Sequence, residues 1–185
     1  VSCNFKISKN LAIELNKLFL EVIIANSFDK AALKILKKKK NLRLIDATNY
    51  SFKEILKFIS SNEEILVQTE DLKKFSNKDF KVVSKKKPSL KQMKNLIFAF
   101  NICRYVKSNA IVLATDETTA GIGSGQPSRL DSCQIAIDKM KKFMHTKNKV
   151  VAASDAFIPF VDGIEKLFQS GVTEVIQQSG AIKDT

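Results

Sequence analysis

The chemistry that this chain can offer is concentrated in two stretches. The first, Gly121-Ile122-Gly123-Ser124-Gly125-Gln126, falls between an apolar run and a helix-forming run, with Arg129 three residues further on. A glycine-rich turn between a strand and a helix lets backbone N–H groups face an anion, and an Arg beside it suits a phosphate or a carboxylate. The same glycines also serve where a strand and a helix must pack closely, and Arg129 equally suits a surface ion pair. A dinucleotide fingerprint requires Gly where Gln126 stands, and the Gly-Lys-Ser/Thr of a phosphate-binding P-loop is absent, which excludes both motifs.

The second stretch, Ser154 to Asp162 (SDAFIPFVD), directly follows the apolar run Val150 to Ala153. In an α/β protein such a junction lies at the sheet edge where ligands bind. Phe157 and Phe160, spaced around Pro159, can wall in a flat heterocycle, and Asp162 can accept hydrogen bonds from amino or ring N–H groups. The alternative is that both phenylalanines are core residues and Asp162 is a helix N-cap. The one histidine, His145, lies at a Lys-rich helix end without a Cys, Asp or Glu cluster or a nucleophile motif. It reads as a solvated residue near a helix C-terminus, not as a zinc ligand or a triad base.

The elements that must hold these stretches follow from periodicity. Helices are expected over Leu11 to Leu20, over Phe28 to Lys38 with Ser27 as cap, and over Tyr50 to Ile59. A long helix opens at Pro88 and Ser89 and runs through Val106, with Leu96, Ile97, Phe100 and Cys103 facing inward. Two more helices cover Ser128 to Met144 and Asp162 to Gln169, the latter terminated by Gly171. Strands are expected at Glu21 to Ala25, Leu42 to Ile45, Ile65 to Gln68, Ala110 to Ala114, up to Ile122, Val150 to Ala153 and Val172 to Ile176. Phe75 to Lys87 is polar and reads as a surface excursion. Strands alternating with helices make an α/β protein, and the chain is one domain or part of one.

Bulk properties narrow the function. At 185 residues and 44% apolar content the chain has room for a real core and is not disordered. No apolar run approaches the roughly 20 residues that cross a bilayer. The three cysteines form no CxxC pair, and Cys103 and Cys133 fall within apolar helical patterns. They read as buried thiols of a reducing compartment, so a cytoplasmic location is expected. The net charge of +12 invites a nucleic-acid reading, but of 31 basic residues only Arg43, Arg104 and Arg129 are Arg, and the lysines are spread along the chain. Specific phosphate and base contacts favour Arg, so a solvated Lys-rich surface is expected instead, with neither nucleic acid nor membrane as partner.

Taken in order and spacing, VKSNAIVLATDETTAGIGSGQPSR (Val106 to Arg129) and SDAFIPFVDG (Ser154 to Gly163) resemble the transformylase domain of bifunctional purine-biosynthesis proteins. That family joins AICAR transformylase to IMP cyclohydrolase. The similarity extends from FLEVIIA (Phe19 to Ala25) and KKKKNLRL (Lys37 to Leu44) to SGAIKDT at the end. It implies a cytidine-deaminase-like layered α/β/α architecture without catalytic zinc, and HxE and PCxxC ligand sets are indeed absent here. It also implies formyl transfer from 10-formyltetrahydrofolate to the 5-amino group of AICAR, at sites formed across a homodimer.

By the same resemblance, Asn109 is the catalytic side chain near the reacting amine, and Glu21, Arg129 and Phe157 join it in binding AICAR. Leu130, Asp162, Ala181 and Ile182 are implied as folate contacts, and Ser108 and Asp155 as ligands of a structural potassium ion. The family's Lys-His pair, in a segment like KHVNPCG, has no counterpart among residues 1–185, and neither has the cyclohydrolase domain or the Arg-bearing tail. The expectation is therefore an internal part of a transformylase domain with little or no activity by itself. Gln178 and Ser179 stand where the family has Pro-Gly, Ile158 where it has Phe, and Val161 where it has Arg. The competing reading is a non-catalytic basic binding module that retains the fold, with salt-sensitive RNA or DNA binding and no affinity for AICAR.

Overall fold

A computed structural model of the chain describes residues 1–51, 56–144, 148–158 and 160–180. It divides into two compact units, Val1–Glu70 and Asp71–Thr185, each with its own core.

In the first unit, β1 (Ser2–Ile7), β2 (Val22–Phe28) and β3 (Arg43–Asp46) form a parallel sheet in that order. Helices α1 (Lys9–Asn16) and α2 (Lys30–Leu36) make the crossovers and bury Leu15, Ala32 and Leu36 against Ile7, Ile23 and Ala25. The expected helix cap Ser27 lies instead inside β2, because parallel pairing with β1 continues as far as Phe28, and α2 starts after Asp29. The helix expected over Tyr50 to Ile59 is replaced from Leu56 onward by β4 (Leu56–Ser61), which pairs antiparallel with β5 (Glu64–Thr69). Residues 52–55 lie outside the described residues. The tight turn has Asn62 at φ +50°, and the cross-strand pairs Phe58 with Val67 and Ile59 with Leu66 override the helical spacing.

The second unit holds a four-stranded sheet in the order β7-β6-β8-β9, formed by β6 (Ile111–Thr115), β7 (Thr118–Gly123), β8 (Val150–Ser154) and β9 (Val172–Ile176). Helix α3 (Leu90–Cys103) covers one face, where Leu96, Phe100 and Cys103 meet Val112, Ala114, Val151 and Ala153. Helices α4 (Arg129–Phe143) and α5 (Val161–Gln169) cover the other, where Cys133, Ile137 and Leu167 meet Ile111, Leu113 and Ala152. Alternate residues of β6 and β8 thus enter opposite cores, so both strands are apolar throughout.

Ser89 caps α3 by accepting from Gln92 N–H, and Gly171 takes φ +98° beyond α5, both as expected. The excursion from Phe75 is anchored more firmly than expected. Phe75 and Phe80 set their rings edge-on to Phe100, with centroids 5.0 and 5.2 Å away, and Arg104 donates to the carbonyls of Asp71 and Lys73. No helix among the described residues is long and apolar enough to cross a membrane.

Candidate functional site

Topology brings the two chemically loaded stretches together. β6 runs antiparallel to both neighbours, with Ile111 opposite Gly123 of β7 and opposite Ser154 of β8. The residues just before β6 therefore meet those just after β7 and β8 at one end of the sheet. Backbone bonds close this end: Asn109 N–H to Gln126 O at 3.2 Å, Gly125 N–H to Lys107 O at 2.8 Å, and Asp155 N–H to Ala110 O at 3.3 Å.

The glycines divide by role. A Cβ on Gly121 would come within 2.1 Å of Ala136 O, and one on Gly123 within 1.9 Å of Ser132 O. Both glycines therefore let β7 lie directly against the backbone of α4, which is the close-packing alternative. Gly125, at φ +68°, makes the turn that follows.

Around this end lies a cleft of about 490 Å³. Asn109, Arg129, Leu130, Phe157 and Asp162 all line it, joined by Phe160, Ile158 and Pro127. Phe157 and Phe160 are 41% and 63% exposed, so the reading of both as core residues does not hold; Ile158 is the buried member of the loop. Its N–H donates to Gln177 Oε1 at 2.9 Å, which turns the neighbouring rings outward. Asp162 is not the N-cap of α5, a place taken by Phe160; it sits in the first turn, where a carboxylate complements the helix dipole, and accepts from Gly163 N–H at 2.7 Å.

Behind the cleft is a polar network. Arg129 donates through one terminal nitrogen to Asp155 Oδ1 at 2.6 Å and to Ser154 Oγ at 2.8 Å. Only 12% and 17% of the Arg129 and Asp155 side chains are exposed, so this is a largely buried pair and not a surface one. Asp155 also accepts from Ala110 N–H at 3.0 Å. Burial pushes the Asp155 carboxyl upward, but hydrogen bonds from the Ser108 hydroxyl, Arg129 and Ala110, with the Arg129 charge, outweigh it and hold the group below its ordinary value. The Asn109 side-chain amide donates to Gln126 O at 2.9 Å and Pro127 O at 3.0 Å, while the Asn109 backbone carbonyl accepts from the Ser132 hydroxyl at 2.7 Å. The Ser108–Asn109 peptide is cis.

Ser132 and Ser154, both fully buried, are the members of this network whose part in it the sequence did not show. The available signal was a hydroxyl among apolar neighbours, since a buried hydroxyl must find a partner. Glu21 belongs to the first unit, between α1 and β2, and Ala181, Ile182 and His145 lie outside the described residues. Asp155 takes hydrogen bonds from the Ser108 hydroxyl and from Arg129, an arrangement that does not fit a potassium ion on its carboxylate, because the cation would abut a guanidinium. Among the described residues no cluster of three or more His, Cys, Asp or Glu is placed to hold a metal ion.

The second unit is thus of α/β type, with a cleft that opens at the carboxyl ends of β7 and β8. Comparison with known proteins supplies the family. Residues 1–139 match the family described as AICARFT/IMPCHase bienzyme, and the chain belongs to it. It is 43% identical over 186 residues to the bifunctional purine biosynthesis protein PurH of Fusobacterium nucleatum, covering 100% of this chain and 36% of that protein. It is 40% identical over 185 residues to PurH of Caldicellulosiruptor saccharolyticus (100% and 35%) and 40% identical over 184 residues to that of Aquifex aeolicus (100% and 36%). The chain spans about a third of the length of the curated relatives that it matches.

Proposed function

We propose that this chain carries part of the formyl-transfer site of the AICARFT/IMPCHase bienzymes, and that both units belong to one transformylase domain with deaminase-like layering. The reaction moves a formyl group from 10-formyltetrahydrofolate to the 5-amino group of AICAR. The observation that supports this most is the convergence of Asn109, Arg129, Leu130, Phe157 and Asp162, drawn from two separate stretches, on one cleft.

The amine of AICAR is a poor nucleophile, because its lone pair delocalises into the ring and carboxamide. The site must orient it against the formyl carbon, stabilise the tetrahedral oxyanion and move a proton. In this reading Phe157 and Phe160 wall in the imidazole, and Arg129, fixed by Asp155 and Ser154, supplies positive charge. Asn109 sets the amine, while Leu130 and Asp162 hold the pterin, whose N–H groups the carboxylate accepts. The amine adds to the formyl carbon, placing the C=O electron pair on oxygen as the tetrahedral oxyanion; its collapse restores C=O and breaks the bond from carbon to folate N10, and the amine proton ends on N10. Proton transfer is assigned to the family's Lys-His pair, and the complete site to a homodimer in the cytoplasm. Residues 1–185 alone should bind AICAR and turn it over little.

Thermal denaturation of the chain with AICAR, with a reduced folate and with a mixed oligonucleotide tests the reading. A ligand at a hundredfold excess over its Kd stabilises by about 2.7 kcal/mol, so AICAR should raise Tm. Phe157→Ala should weaken AICAR roughly tenfold with the unliganded Tm unchanged. A shift by the oligonucleotide alone, lost in high salt, would favour the basic binding module.

A further inference from the structure

A ring of hydrogen bonds closes behind the cleft. Arg129 donates to Asp155 Oδ1 at 2.6 Å, and the same oxygen accepts from Ala110 N–H at 3.0 Å. The carbonyl of that same peptide group, Asn109 O, accepts from the Ser132 hydroxyl at 2.7 Å. Ser132 lies three residues beyond Arg129 on α4, so about one helical turn completes the circuit. The Asn109–Ala110 peptide is thus held at both of its polar atoms, by Asp155 from the end of β8 and by Ser132 from α4.

Packing fixes the place of the Ser132 hydroxyl. Ser132 is fully buried, and a Cβ on Gly123 would come within 1.9 Å of its carbonyl oxygen and 2.7 Å of its Cα. The bare backbone of β7 therefore sets how deep α4 lies, and α4 sets where the hydroxyl points its hydrogen. What the ring holds is Asn109. Its two amide hydrogens go to Gln126 O and Pro127 O, which leaves the side-chain oxygen, an acceptor, to meet a ligand in the cleft. An acceptor there suits an amine N–H, and its direction decides where the amine lone pair points. We infer that Ser132 is a positioning residue: through the Asn109–Ala110 peptide it sets the Asn109 side chain, at a fixed spacing from Arg129, to receive the amine of AICAR. Ser132 does not itself line the cleft. The inference rests on the formyl-transfer reading of that cleft.

The test is a double-mutant cycle on residues 1–185, with AICAR affinity measured by titration calorimetry for wild type, Ser132→Ala, Asn109→Ala and the double variant. Ser132→Ala should weaken AICAR about tenfold alone but less than about twofold once residue 109 is alanine, because the hydroxyl then has no side chain to set. The ribotide that lacks the 5-amino group should bind wild type and Ser132→Ala equally. Ser132→Cys keeps a weak donor and should recover part of the loss. If Ser132→Ala does not fold, Ser132→Cys takes its place in the cycle, with a loss of about threefold that again vanishes in the Asn109→Ala background. Equal losses in both backgrounds, equal losses for both ribotides, or no loss at all would overturn the inference and leave Ser132 a purely structural role. Wild type that binds no AICAR at millimolar concentration would instead overturn the formyl-transfer reading, and this inference with it.

Discussion

At the scale of single residues, Asp155 does most to organise the cleft. It ties the start of β6 to the end of β8 through Ala110 and fixes Arg129 at the rim. Asp155→Asn keeps the shape but removes the charge, leaving a mostly buried guanidinium with a weaker partner. A charged hydrogen bond in such a place contributes about 2 kcal/mol, and chemical denaturation should register a loss of that order. The pH dependence has a definite sign. The Asp155 carboxyl lies below its ordinary 3.8, so the folded state holds that proton less tightly than the unfolded chain. Its contribution is complete above about pH 4 and is lost as pH falls through the lower folded value. Unfolding curves of wild type and Asp155→Asn should therefore converge on acidification; a constant gap would contradict the ion pair. Residue types and order along the chain singled out Arg129, Phe157 and Asp162, and the family resemblance added Asn109, but neither gave the partnership of Arg129 with Asp155 and Ser154. That contact spans 25 residues or more and exists only through the antiparallel pairing of β6 with β8.

At the scale of elements, the β6–β7 hairpin and its packing on α4 decide whether the cleft forms. Gly123→Ala places a methyl group within 1.9 Å of Ser132 O, and the atoms that it meets are all Ser132 backbone, which cannot swing aside as a side chain would. A cost of about 2 kcal/mol or more is expected, with α4, and hence Arg129 at its start, displaced. Loss of Tm together with loss of AICAR binding would bear this out. The tip of the hairpin offers the opposite experiment. Asp116 and Glu117 both have φ near +50°, which L residues adopt at a cost of roughly 1–2 kcal/mol. Glu117 N–H is held by Asn95 Oδ1 at 3.0 Å, and Asp116 by Lys91 at 2.7 Å. Glu117→Gly keeps that backbone bond and relieves the strain, so Tm should rise by a few degrees; a fall would mean that the side chain matters more than the turn. Sequence spacing placed α3, α4 and β6 to β9 to within a few residues, because α3, α4, β7 and β9 are each marked by a cap, a Pro or a Gly and β6 and β8 are apolar runs. It misplaced the segment that becomes β4, where Leu56, Phe58 and Ile59 fit either period and only pairing with β5 decides.

At the scale of the whole molecule, each cysteine reports on a different core. Cys3 packs against the core of the first unit, Cys103 against the α3 face of the second unit's sheet, and Cys133 against its α4 and α5 face. The apolar helical patterns around Cys103 and Cys133 foretold that both would be buried, but not that one sheet would separate them. Burial pushes the Cys103 thiol up to about 12 and the Cys133 thiol up to about 11, so neither ionises in the folded chain near pH 8. Cys3 is only half-buried. In native buffer Cys3 alone should react with a disulfide reagent over minutes. Both shifts are upward, so the stability linked to these thiols is complete below their ordinary values near 9 and declines as pH rises toward 11 and 12. In increasing denaturant Cys103 and Cys133 should become reactive together, because Val112 and Leu113 of one strand enter the two cores alternately and neither layer can open without the other. The first unit shares none of those core residues, so Cys3 need not follow the same curve. Separate midpoints for Cys103 and Cys133, read by mass spectrometry of the labelled peptides, would mean that the sheet does not couple its two faces and that the cleft at its end can lose one wall while keeping the other.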